Sequence, residues 1–180
     1  MSGTREARHW TLEEMHALPE DGNKYELIYG ELLVTPAPTD NHETIAARLT
    51  RILDPYVATH DLGLVYRPRA VFRIGREVEV EPDLMVRQLH PEPEGAWERA
   101  PRPSLIVEIL SVSSRRHDFG KKRALYLMSG IPDYWIVDGI ARTITVIRPA
   151  HEAVILKREL VWAPSGASAP LTFELREIFG

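Results

Sequence analysis

The stretch Ser104-Leu-Ile-Val-Glu-Ile-Leu110 constrains this chain more than any other. It is short, almost continuously apolar and rich in β-branched residues, which is the pattern of a strand at the centre of a sheet, covered on both faces. Covering both faces takes further layers of structure. The 180 residues suffice for one domain with a large core, spanning 1–180.

Other elements are arranged around that strand. Thr11-Leu-Glu-Glu14 has the form of a capping box and opens a short helix to about Leu18, before Pro19-Glu-Asp-Gly-Asn23 breaks it. Tyr25–Tyr29 and Glu31–Thr35 read as strands with Gly30 between them, a hairpin or a bulge. Ile45, Ala46, Leu49, Ile52, Leu53, Tyr56 and Val57 recur at helical spacing, behind Thr39 or Asp40 as cap. Val65–Ile74 and Val80–Arg87 read as two strands, the first interrupted by Pro68. A proline-rich loop runs from His90 to Pro103. Asp118–Ser129 reads as a helix capped by Asp118 and stopped by Gly130 and Pro132. Strands Tyr134–Val137 and Thr143–Arg148 follow, joined at Asp138-Gly139, and then a strand-like tail. The order predicts an α/β or α+β domain, a mixed sheet flanked by helices.

Composition narrows the function. The chain has no cysteine, which excludes disulfides, thiolate metal sites and cysteine nucleophiles together. Residues Met1–Arg8 are polar with no apolar run after them, and nothing approaches the ~18 apolar residues of a membrane span, so a cytoplasmic protein is expected. A net charge of −4 argues against nucleic-acid binding by bulk positive charge, but not against a local basic surface beside an acidic site.

Two carboxylates stand where a core strand should be apolar. Side chains alternate along a strand, so Leu105, Val107 and Ile109 face one way and Ile106, Glu108 and Leu110 the other. A buried carboxylate is costly unless paired, protonated or metal-bound, which marks Glu108 as a functional residue or half of a hidden salt bridge. Asp83 sits in Glu81-Pro82-Asp83-Leu-Met-Val86, just after a proline that cannot donate to the sheet. If these strands are neighbours, the oxygens of Asp83 and Glu108 suit Mg²⁺ or Mn²⁺. Alone, Asp83 is equally a strand-end charge in solvent.

The segment after the Glu108 strand is basic. Arg115, Arg116, Lys121, Lys122 and Arg123 gather at the start of a helix, where free amides and the helix dipole favour phosphate; the plain alternative is a solvated helix start. The helical wheel does not choose between Lys121 and Lys122 as the lysine turned toward the sheet.

Together these residues resemble the PD-(D/E)XK nuclease superfamily, and within it the Uma2 family (DUF820) of restriction-endonuclease-like proteins. Thr11-Leu-Glu-Glu14, Tyr25-Glu-Leu-Ile-Tyr-Gly-Glu31, Thr35-Pro-Ala-Pro38 with His42, and Glu81-Pro-Asp83 each match a family segment. The most specific match is Val107-Glu-Ile-Leu-Ser111 followed by Asp118, Lys122, Tyr126, Gly130, Pro132, Tyr134, Trp135 and Asp138. The resemblance implies a restriction-endonuclease-like core, with Asp83 and Glu108 as metal ligands, Glu31 as a further acid and the Ile109 carbonyl completing the sphere. It makes His42 and Asp118 accessory residues, although a capping or core role is the plainer reading of His42. The lysine expected two residues after the glutamate is Leu110 here, and the resemblance passes its role to Lys122. Val112 and Ser114 also depart from the family's proline and threonine, in the loop after Ser111.

The expected activity is Mg²⁺- or Mn²⁺-dependent hydrolysis of phosphodiester bonds in DNA, with Arg115, Arg116, Lys121 and Arg123 on the backbone phosphates. Since one site cuts one strand, a homodimer is expected. Trp162 and Leu171 in the tail serve either an interface or the core. The alternatives are a catalytically inactive DNA-binding or regulatory module on the same fold, a structural protein in which Asp83 and Glu108 merely pair with cations, and, more remotely, a glycosidase with paired carboxylates.

Overall fold

The computed structural model describes residues 8–92 and 96–180. Residues 1–7 and 93–95, parts of the N-terminal segment and of the loop expected at His90–Pro103, lie outside them.

The chain begins with α1 (Leu12–His16), whose capping box forms as expected: the Thr11 hydroxyl accepts from the Glu14 amide and the Glu14 carboxylate accepts from the Thr11 amide. Strands β1 (Lys24–Ile28) and β2 (Glu31–Thr35) make a hairpin. Its two-residue turn requires φ > 0 at both positions, and Tyr29 (48°) and Gly30 (81°) supply it. Helix α2 (Asp40–Thr59) follows, capped by the Thr39 hydroxyl.

Both strands read as continuous between 65 and 87 are divided. Val65–Ile74 is β3 (Leu64–Tyr66) and β4 (Phe72–Ile74); Val80–Arg87 is β5 (Val78–Val80) and β6 (Leu84–Arg87). In each case the chain crosses from one sheet to another at the break, which holds Pro68 in the first and Pro82 in the second. A residue without an N–H cannot continue a ladder, so the prolines end the pairing where the chain must leave. A 3₁₀ turn (Trp97–Arg99) interrupts the proline-rich loop.

Next come β7 (Leu105–Ile109), a helix in three parts, β8 (Asp133–Asp138), β9 (Thr143–Ile147), β10 (Val154–Leu156), β11 (Glu159–Trp162), β12 (Leu171–Glu174) and a terminal helical turn at Arg176–Phe179. The sheets are β2-β1-β5-β4, β10-β9-β8-β7-β6-β3 and the hairpin β11-β12. Every pairing is antiparallel except β7 with β8, so β7 lies inside the larger sheet, as its composition requires. The fold is mixed α/β, with helices flanking a mixed larger sheet.

The alternation along β7 holds. Leu105, Val107 and Ile109 pack with Ile45, Leu49, Leu53 and Val57 of α2, and with Trp135 and Val137. Ile106 faces the other way, among Ile28, Val78, Val80, Leu125, Tyr126 and Ile136. Each such side chain contributes roughly 1.5–3 kcal/mol on burial. Trp162 is wholly buried, packs edge-on against Trp135 at 5.6 Å and donates to Asp133 Oδ2 at 3.1 Å. It is therefore a core residue; Leu171 packs half-buried against the same cluster.

Helix Asp118–Ser129 is corrected at its start. Helical structure begins with α3 (Arg115–His117), widens into a π turn over Asp118–Lys122 and continues as α4 (Arg123–Met128). Ser111 and Ser114 open it, each amide donating to the other's hydroxyl at 3.0 Å. Asp118 therefore caps nothing and is buried within the helix.

Candidate active site

The site forms where β5 gives way to β6. Glu81-Pro82-Asp83 spans the gap between the two sheets, and pairing of β6 with β7 brings Asp83 beside the Glu108 strand. Asp83 Oδ2 accepts from the Ile109 amide at 2.7 Å and bonds His42 Nε2 at 3.0 Å. Its Oδ1 lies 3.4 Å from Lys24 Nζ, which also donates to the Glu81 carbonyl at 3.0 Å. Asp83, Glu108, Ile109, His42 and Lys24 all line one cleft of about 970 Å³.

Behind that wall is a second, drier layer. Glu108 Oε1 accepts from Lys122 Nζ at 3.0 Å and from the Tyr126 hydroxyl at 2.7 Å. Lys122 Nζ also lies 2.8 Å from Glu26 Oε2 and 3.9 Å from Asp118 Oδ1. Glu26 Oε1 in turn accepts from the Glu81 amide at 2.8 Å, which ties β1 to the crossing segment. The π turn settles which lysine faces in: its extra residue shifts the phase of the helix, and a regular wheel cannot represent that. Lys122 is buried beneath the sheet, whereas Lys121 is exposed.

Burial and charge act against each other here. Burial raises the Glu108 carboxyl, only partly offset by Lys122 and Lys24, and pushes it up to about 8. Burial acts on Asp83 in the same sense, but Lys24, His42 and the Ile109 amide outweigh it and hold its carboxyl well below the usual range. Two adjoining carboxyls thus have their affinities for a proton pushed apart. Burial also raises Asp118, outweighing Lys122 and Ser114, which lower it. Burial opposes the charge on Lys122, yet Glu108 and Glu26 outweigh it and hold its ammonium well above the usual value. Lys24 is pushed up to about 12: burial and Lys122 lower it, but Glu26, Asp83 and Glu108 raise it further. For His42, burial is outweighed by the bond to Asp83, and its pKa is raised.

This donor set fits a divalent cation. Glu26, Asp83, Glu108 and Asp118 are buried carboxylates, faced by the ammoniums of Lys24 and Lys122. Fully ionised, they leave negative charge in excess. Glu108 Oε1 is engaged by Lys122 and Tyr126, which leaves Oε2 for the cleft it lines. No three His, Asp or Glu side chains converge as a metal cage among the described residues. Mg²⁺ ordinarily takes only one or two carboxylates and keeps several waters, so Asp83 and Glu108 with a main-chain oxygen suffice.

Other expected site residues lie elsewhere. Glu31 follows the β1–β2 turn directly, which projects it to the surface, where it pairs with Lys121; it does not line the cleft. The glutamate that reaches the buried network is Glu26, in mid-strand on the same face as Lys24. The signal for it was two charges at strand spacing, Lys24 and Glu26, within an otherwise apolar stretch. Arg115 pairs with Asp138, Arg116 is exposed, and Arg123 is half-buried. His42 is the histidine of the site: Thr39 caps its amide while its ring holds Asp83.

The comparisons bear on the fold and the family. A crystal structure of a "putative nuclease belonging to DUF820" from Anabaena variabilis ATCC 29413 superposes with a TM-score of 0.79 at 25% identity, over 94% of this chain and 97% of that one. A search of curated proteins found no significant match. No helix among the described residues is long and apolar enough to cross a membrane. The profile of the Uma2 family, "Putative restriction endonuclease", matches residues 12–176. With nearly its whole length matched, the chain belongs to the Uma2 family.

Proposed function

We propose that this protein is a divalent-metal-dependent endonuclease that hydrolyses phosphodiester bonds in DNA. The observation that carries the reading is the pair Asp83, just before β6, and Glu108, on the β7 strand that β6 pairs with, both at the wall of one cleft in a chain of a "Putative restriction endonuclease" family. Asp83 and Glu108 would hold Mg²⁺ or Mn²⁺. When bound, such an ion lowers the pKa of water and offsets charge on the pentavalent transition state.

The rest of the work falls to the chain. His42 and the Ile109 amide fix the Asp83 carboxylate so that it need not reorganise during the reaction. Lys122 and Tyr126 hold Glu108 by one oxygen and direct the other to the cleft. Lys122 thus assists at one remove, as a positioning residue. In the reaction water adds to phosphorus, the P–O bond to the leaving sugar oxygen breaks, and that oxygen takes up a proton. Arg116, with Arg115, Lys121 and Arg123 around the helix start, supplies positive charge for backbone phosphates. One cleft cuts one strand, so cutting a duplex calls for two copies.

Calorimetric titration with Mg²⁺ and Mn²⁺, of the wild type and of Asp83→Ala and Glu108→Ala, tests the reading beside nicking of supercoiled DNA. Binding and nicking in the wild type, both lost in the variants, is the expected result. A wild type that binds DNA but neither takes up metal at millimolar concentration nor nicks would favour an inactive binding module.

A further inference from the structure

The resemblance gives the role of the active-site lysine to Lys122, on the helix. The geometry points to another: we propose that Lys24, on β1, is the lysine that contacts the scissile phosphate, while Lys122 never reaches the substrate. This rests on the nuclease reading above.

Access separates the two. Lys24 lines the cleft together with Asp83 and Glu108, and its side chain is 20% exposed. Lys122 does not line the cleft, and its side chain is 2% exposed, behind Glu108. A phosphate can meet Lys122 only if Glu108 moves aside, and Glu108 is itself a proposed ligand.

Surroundings separate them again. An ammonium has three N–H donors. Lys122 is enclosed by three buried carboxylates, Glu26 at 2.8 Å, Glu108 at 3.0 Å and Asp118 at 3.9 Å, so its charge is balanced inside the protein. Lys24 makes one good bond, to the Glu81 carbonyl at 3.0 Å, and one long one, to Asp83 Oδ1 at 3.4 Å. Its third donor is uncommitted among the described residues, on a side chain that faces the cleft. The bond to Glu81 anchors the ammonium two residues from Asp83, so a phosphate beside Asp83 lies within its reach. The long bond to Asp83 is also the easier one to exchange when a cation takes that oxygen.

Position on the fold explains the substitution. Leu110 occupies the place two residues after Glu108 and cannot donate. Strand β1 pairs with β5, and β5 leads directly into Glu81-Pro82-Asp83, so the first residue of β1 looks across at the acid just before β6. The side-chain face that carries Glu26 inward to Lys122 carries Lys24 toward the cleft.

Amine-reactive labelling of the wild-type protein, read by mass spectrometry with and without a duplex oligonucleotide in chelator, tests this without relying on activity. Lys24 should label and be protected by DNA at least fivefold, while Lys122 stays unlabelled in both states. Oligonucleotide binding at several salt concentrations gives a second readout. Removing one phosphate contact lowers the slope of log K against log salt by about 0.9, which Lys24→Met should show and Lys24→Arg should not. With Mg²⁺ present, Lys24→Met should lose nicking at least a hundredfold with the fold retained. Lys24 labelling unaffected by DNA, with an unchanged salt slope, overturns the assignment, as does nicking undiminished in Lys24→Met. If the wild type nicks in those experiments, the nuclease reading survives the loss of this one; a wild type that neither binds DNA nor nicks overturns both.

Discussion

Asp83 Oδ2 accepts the backbone N–H of Ile109 at 2.7 Å, one residue beyond Glu108. That bond ties the segment crossing between the sheets to the strand at the centre of the larger one. It sets the two acids side by side although 25 positions of sequence separate them. Replacing Asp83 with alanine leaves a buried N–H without its acceptor, at a cost of about 1–3 kcal/mol. Urea denaturation of Asp83→Ala should show that loss in chelator, and Mg²⁺ should no longer raise its midpoint.

Lys122 joins Glu26 and Glu108, with all three side chains almost fully buried. Breaking a buried pair from one side typically costs about 3–5 kcal/mol, because the partner's charge remains. Lys122→Met should be destabilised by that order at pH 8. At pH 5 the loss should be smaller, since Glu108, raised to about 8, can then stay protonated. Denaturation curves at both pH values check the difference; equal losses would count against the raised carboxyl.

The pH dependence of stability has a definite sign. Glu108 binds its proton more tightly folded than unfolded, about 8 against 4.5. Between those values the native state carries more protons, so stability falls as pH rises. His42 is also raised in the folded state, and its contribution is lost in the same direction, as pH rises through its folded pKa. Asp83 is depressed, so its contribution is present above about 4 and fades only in acid. In chelator, Tm should therefore drop from pH 6 to pH 8, and Glu108→Gln should flatten the drop. Mg²⁺ and the proton compete for Glu108, so Mg²⁺ affinity should rise over that interval, with proton release measurable in buffers of different ionisation enthalpy.

His42 contacts Asp83 without being one of the proposed ligands. Loss of such an outer partner typically weakens metal affinity about 10–100-fold. Calorimetry on His42→Ala should give a weaker Mg²⁺ constant in that range, with the fold intact by circular dichroism. An unchanged constant would make His42 a packing residue.

Arg115 and Asp138 pair across the helix start, with the arginine 54% exposed. Exposed pairs contribute about 0–1 kcal/mol, so Arg115→Ala should barely move the denaturation midpoint. Asp138→Ala should cost more, because the Asp138 carboxylate also accepts the Ile140 and Ala141 amides that shape the turn after β8.

Much of this is legible in the sequence alone. The centre of the sheet could be read from 104–110, because a strand buried on both faces must be apolar throughout. The first helix and α2 could be read from a capping box and a 3.6-residue period, both local properties. Glu108 and Asp83 stood out because a carboxylate in an apolar strand has no local explanation. The sequence by itself thus determined the element types, the family and the two acids. Only the tertiary structure decided where the chain leaves one sheet for the other, that Glu26 rather than Glu31 reaches the buried network, and which lysine faces which side. Those outcomes depend on contacts between segments far apart in the chain and on one π turn that shifts a helix out of phase. Neither leaves a periodic trace, since a period records which face of an element is buried and not what it is buried against.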